Sequence, residues 1–108
     1  MSVLFTYVTV PSDALAQEIA STVVSERLAA CANIIPGMKS VYQWQGRIEQ
    51  RDEIILILKT QEKLFKTLEA RVKALHSDET PCIVALPVTA GNAGFLQWIT
   101  SETTNEQK

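Results

Sequence analysis

At 108 residues, 46% hydrophobic and 20% charged, the chain has the make-up of one globular domain spanning 1–108, able to bury about two thirds of its unfolded surface. A formal net charge of −2, with Lys and Arg scattered rather than clustered, argues against a nucleic-acid partner and an anionic membrane surface. No apolar run reaches membrane-spanning length, the opening MSVLFTYVTVPSD lacks a basic stretch and a cleavage site, and Cys31 and Cys82 form no Cys-X-X-Cys pair; together these lead us to expect a cytoplasmic protein with free thiols.

Val3 to Val10, rich in β-branched and aromatic residues, predicts a strand. Pro11-Ser12-Asp13 opens a helix with Ser12 as cap, and Leu15, Ile19 and Val23 set its apolar stripe to an end near Leu28. Cys31 to Ile35 is the next strand. Pro36-Gly37 bends it, Ser40 to Gln45 continues it, Gly46 marks a hairpin turn, and Arg47 to Thr60 runs back. Thr60 is placed to cap a second helix carrying Leu64, Leu68, Val72 and Leu75. His76 to Pro81 reads as a polar loop and Cys82 to Leu86 as a short strand. Gly91 to Gly94 is a loop before a short final helix starting over Phe95–Thr100, and the tail SETTNEQK is expected to fray. The order is β-α-β-β-α-β, an α+β ferredoxin-like plan with a long central hairpin.

Both crossover helices of that plan lie on one face of the sheet, because such crossovers are right-handed. The other face should then alternate toward polar residues. It does not: Ile54 to Leu58 and Cys82 to Leu86 are apolar throughout. Covering by a partner subunit is expected, with Ile55 and Ile57 from the sheet at the interface. Tyr42 and Trp44 share one face of the hairpin arm and either pack on that neighbour or line a cleft, packing being the expectation. The competing arrangement folds the hairpin or the last helix over the apolar sheet face.

His76 is the only histidine, at a helix end beside Asp78 and Glu79. It reads either as a solvated loop residue or, with Asp78, Glu79 and Cys82, as the centre of a weak metal site. Cys31, flanked by alanines, reads as a small buried apolar residue. No phosphate-binding glycine loop, serine elbow or catalytic constellation is present, so no enzymatic activity is expected.

Ala30-Cys31, Asn33 to Gly37, Ser40, Tyr42, Trp44, Gly46, Ile48, Glu53 and Lys59-Thr60 form a spaced pattern. It continues through His76, Glu79, Pro81, Pro87, Gly91, Leu96, Trp98 and Ile99. The pattern resembles the CutA family of divalent-cation tolerance proteins over nearly the whole chain. The resemblance implies a ferredoxin-like homotrimer with sheets inside and helices outside, and a cytosolic protein linked to copper and other divalent metals. Val8 and Leu75 stand where the family's copper cysteine and first paired histidine fall. The alternative function is a trimeric module, like the PII regulators of similar fold, that binds a small molecule or partner protein through its loops.

Overall fold

The computed structural model describes residues 2–104, and the end of the polar tail (105–108) lies outside them. Four strands form one sheet in the order β2-β3-β1-β4: β1 (Val3–Val10), β2 (Cys31–Trp44), β3 (Arg47–Gln61) and β4 (Ile83–Pro87). Every neighbouring pair is antiparallel. Consequently β1 and β2 run parallel with β3 between them, and β3 and β4 run parallel with β1 between them. This is the split β-α-β plan expected from the element order.

Helices α1 (Asp13–Ser25) and α2 (Phe65–Leu75) cover one face. Val8 and Val10 from β1, Leu56 and Leu58 from β3, Ile19 and Val23 from α1, and Leu68 and Val72 from α2 close the core, all of them fully buried. Ser12 caps α1 as expected, its Oγ accepting from the Leu15 N–H at 3.2 Å. The helix stops at Ser25 rather than near Leu28. Arg27 takes a positive φ of 61°, the Leu28 N–H bonds the Val23 carbonyl at 2.9 Å and the Arg27 N–H that of Val24 at 3.0 Å. That is a Schellman ending built without the glycine that normally announces one.

Thr60 does not cap α2. It is still inside β3, and its hydroxyl donates to the Leu28 carbonyl at 2.7 Å, tying the end of the strand to the segment after α1. A 3₁₀ turn, Glu62–Leu64, leads into α2 instead.

The final helix, α3 (Ala93–Glu102), starts two residues earlier than expected, with Asn92 Oδ1 accepting from the Phe95 N–H at 3.0 Å, and takes in Ser101 and Glu102 from the tail. It lies over one end of the second sheet face. Lys59 Nζ sits 5.2 Å from the Phe5 ring and 5.4 Å from that of Phe95, and Gln61 Nε2 donates to the Thr103 hydroxyl at 2.8 Å. The last helix thus covers part of the apolar face. The remainder stays open: Ile35, Val84 and Leu86 are 46%, 48% and 54% exposed, with Ile55 and Ile57 half-buried among them.

Candidate functional site

The site begins with a change of register. Ile35 pairs with Ile55, but Met38 pairs with Glu53, so β2 holds one extra residue at Pro36-Gly37. Gly37 has φ +85°, a conformation that suits a glycine and makes the bulge possible. Because side chains alternate with a period of two, one extra residue reverses which residues face which side. Beyond the bulge Met38, Ser40, Tyr42 and Trp44 therefore share the open face with the β3 residues Arg47, Glu49, Arg51 and Glu53, their pairing partners.

On that face the arm curls over a cleft of ≈ 600 Å³. Tyr7 and Thr9 form its floor on β1, Tyr42 and Trp44 its wall on the arm, and Asp78, Glu79 and Cys82 its rim on the segment after α2. Three carboxylates face it, those of Glu53, Asp78 and Glu79, against the single guanidinium of Arg51.

Arg51 holds the cleft together. Its Nη2 donates to Glu53 Oε2 at 2.8 Å and also to Asp78 Oδ2, joining the arm to the loop. The Ser40 hydroxyl donates to the other Glu53 oxygen at 2.5 Å, which completes the partners of a carboxylate only 7% exposed. The hydrogen bond to Asp78, reinforced by Glu53 and opposed by partial burial, raises the Arg51 pKa above its already high ordinary value. Arg51 Nε is buried with no partner among the described residues. Glu79 is exposed and makes no ion pair or hydrogen bond among the described residues.

His76 is not a solvated loop residue. It is 9% exposed and sits behind the cleft. Its Nδ1 accepts from the Asp78 N–H at 3.0 Å, and its Nε2 lies 2.8 Å from the Thr9 carbonyl. A carbonyl can only accept, so Nε2 carries the proton and the ring is the neutral Nε2–H tautomer. The lone pair that a metal would need, that of Nδ1, is already used. His76 thus braces the 76–82 segment against β1 and points Asp78 toward Arg51.

Of the other candidate ligands, Asp78, Glu79 and Cys82 do line one cleft together. The Cys82 thiol is pushed above its ordinary pKa by burial and next by the Glu53 carboxylate, while a hydrogen bond with Thr9 works the other way. That favours the thiol over the thiolate, which is the ligating form. Among the described residues no group of three or more His, Cys, Asp or Glu side chains is arranged to hold a metal ion. A tight coordination cage for copper does not fit these residues.

Tyr42 and Trp44 are at the cleft wall, partly exposed. The sequence leaves them either packed on a neighbour or lining a cleft; their place opposite Asp78 and Glu79 depends on the bulge and on contacts distant in sequence. In the sequence Glu49, Asp52 and Glu53 interleave with Arg47 and Arg51, which reads most simply as a solvated, self-paired strand and does not single out Arg51. Its one visible signal was the alternation of Arg51 and Glu53 on a common face.

This geometry is that of a ferredoxin-like α+β protein whose curled arm walls an acid-rimmed aromatic cleft. The chain belongs to the CutA family: the family model described as "CutA1 divalent ion tolerance protein" matches residues 4–102. It is 48% identical over 96 residues to the divalent-cation tolerance protein CutA of Thermus thermophilus, covering 89% of this chain and 93% of that one. It is 44% identical over 98 residues to the human protein CutA, covering 91% of this chain but 55% of that longer protein. The solved Thermus thermophilus structure superposes with a TM-score of 0.92 at 45% identity, covering 94% of this chain and 99% of that chain.

Proposed function

We propose that this chain acts as a homotrimeric, non-enzymatic, cytoplasmic member of the divalent-cation tolerance family that takes part in the response to copper or another divalent metal and binds the ion weakly. The observation that carries the metal reading is the surplus of carboxylate over guanidinium in the cleft. Asp78 and Glu79 are the ligands proposed, because His76 has both ring nitrogens engaged and the Cys82 thiolate is disfavoured by its surroundings. Such a site attracts a divalent cation by charge without a closed cage, which means low affinity and little selectivity. The open apolar face supports the trimer, since patches of that kind mark association surfaces. Two free thiols support a reducing compartment.

Copper(II) titration of the reduced protein tests this reading. Binding weaker than about micromolar, lowered by Glu79→Gln and only modestly changed by His76→Ala through the loosened 76–82 segment, is the expected result. A micromolar or tighter site that disappears in His76→Ala overturns it.

A second reading is favoured by the size of the cleft. A volume of ≈ 600 Å³ with aromatic walls is that of a small-molecule pocket rather than of an ion site. It supports a trimeric module that binds a small ligand.

A further inference from the structure

We propose that the cleft binds a small organic ammonium ion, an amine carrying apolar substituents, with Glu79 and Asp78 facing its charge and Tyr7, Tyr42 and Trp44 facing its carbon atoms. The inference deepens the small-molecule reading above and rests on it.

Three observations combine. The cleft is large enough for a compact organic molecule, at ≈ 600 Å³. It brings together three aromatic side chains from two strands that are not neighbours in the sheet, Tyr7 on β1 and Tyr42 and Trp44 on β2. Its charge is unbalanced. Arg51 shares one nitrogen, Nη2, between Glu53 and Asp78, and Glu79 is left with no counter-charge among the described residues.

Each alternative class of ligand meets an obstacle. An anion would approach three carboxylates and one guanidinium that is already shared. A neutral apolar ligand would strip water from Glu79 and the free side of Asp78 and return nothing for it. A bare divalent ion gains little from aromatic walls and finds no group of three ligating side chains among the described residues. An organic ammonium ion uses every part of the cleft. Its charge is diffuse and weakly hydrated, ring faces attract it, its substituents bury against the same rings, and the carboxylates neutralise it.

Choline and its uncharged isostere 3,3-dimethylbutan-1-ol are suitable probes, titrated into the reduced full-length protein and followed by the indole resonances of Trp44 and Trp98. Choline is expected to shift the Trp44 resonance saturably while Trp98, on α3 and away from the cleft, stays in place. The isostere should bind roughly tenfold more weakly or worse. Glu79→Gln, an exposed change with no partner to disturb, should weaken choline several-fold and leave the isostere unaffected. Trp44→Leu should weaken both.

Equal binding of choline and isostere overturns the charge recognition while leaving the small-molecule pocket standing. No saturable binding of either probe overturns the inference and the pocket reading with it. Choline binding that Glu79→Gln leaves unchanged also overturns the inference, because the charge is then recognised elsewhere.

Discussion

Arg51 is the residue on which most of the site depends. Among the described residues its guanidinium is the sole cation paired with a nearly buried Glu53, and it fastens the loop through Asp78. Arg51→Ala leaves the Glu53 carboxylate with only the Ser40 hydroxyl for company. A cost of about 2–3 kcal/mol is expected, at the low end for a broken buried pair because the arginine is itself partly exposed. Chemical denaturation measures it. Adding Glu53→Gln should recover part of the loss, since the stranded charge and not the missing side chain is the main cost. Cys82 gives a second check. Its raised pKa means that less thiolate exists near neutral pH than for an ordinary thiol, so alkylation should be slow there and accelerate only at pH above the usual thiol range of about 8.5. In a Cys31→Ser background, Glu53→Gln should move that rate profile to lower pH by removing the second cause of the shift. A profile matching that of a free thiol in solution counts against the environment described. Of this, only the alternation of Arg51 and Glu53 was legible in the sequence. His76 could be seen there as a lone imidazole near two acids, but its real partner, the Thr9 carbonyl, is on the first strand.

At the scale of elements, the hairpin arm is closed by Gln45 and Gly46, with φ of 53° and 80°, between the paired residues Trp44 and Arg47. Two consecutive positive φ angles define the mirror-image turn that matches strand twist, and asparagine followed by glycine is its preferred sequence. Gln45→Asn should therefore stabilise by roughly 0.5–1 kcal/mol. Gly46→Ala should destabilise by about 1 kcal/mol through backbone strain alone, because a Cβ there meets nothing within 4 Å. Thermal melts of both variants give opposite shifts of a few degrees if this is right. Strands and helices with a clean apolar period, such as β1 and the stripe of α1, were legible in the sequence for the ordinary reason that burial writes a pattern. Some boundaries were not, although β1 and the Ser12 cap of α1 fall where expected. The end of α1 came three residues early because an arginine, not a glycine, takes the left-handed position. Thr60 looked like a cap because its strand role rests on a bond to Leu28, 32 positions away.

At the scale of the whole molecule, the sheet has one face sealed by α1 and α2 and another sealed only at one end by α3. The two-sided apolar strands announced that mismatch from the sequence, with cover by the last helix as the competing arrangement; that α3 covers one end only did not show, because its contacts run through Lys59 and Gln61. The trimer proposed above fills the open part. Light scattering at low micromolar concentration should give a mass near three chains for the wild type. Ile57→Glu, which puts a charge in the middle of the open face but outside the core, should shift the mass toward one chain while keeping the far-UV circular dichroism. A wild-type protein that stays monomeric at that concentration ends the proposal.

The extra residue at Pro36-Gly37 acts on the arm as a single inserted letter acts on a reading frame. Everything downstream in β2 is displayed out of phase with what precedes it, and it is this shift that gives Tyr42 and Trp44 to the cleft and leaves Gln43 out of it. Deleting Gly37 would take out the extra residue and leave Met38 opposite Glu53, so Tyr42 and Trp44 would stay on the open face and only the local bend would be lost. A Gly37 deletion variant is therefore expected to keep both its fold and the choline-induced shift of Trp44. In this way β2 takes up one residue more than the strand it faces, with a kink, and still displays the same side chains along its arm.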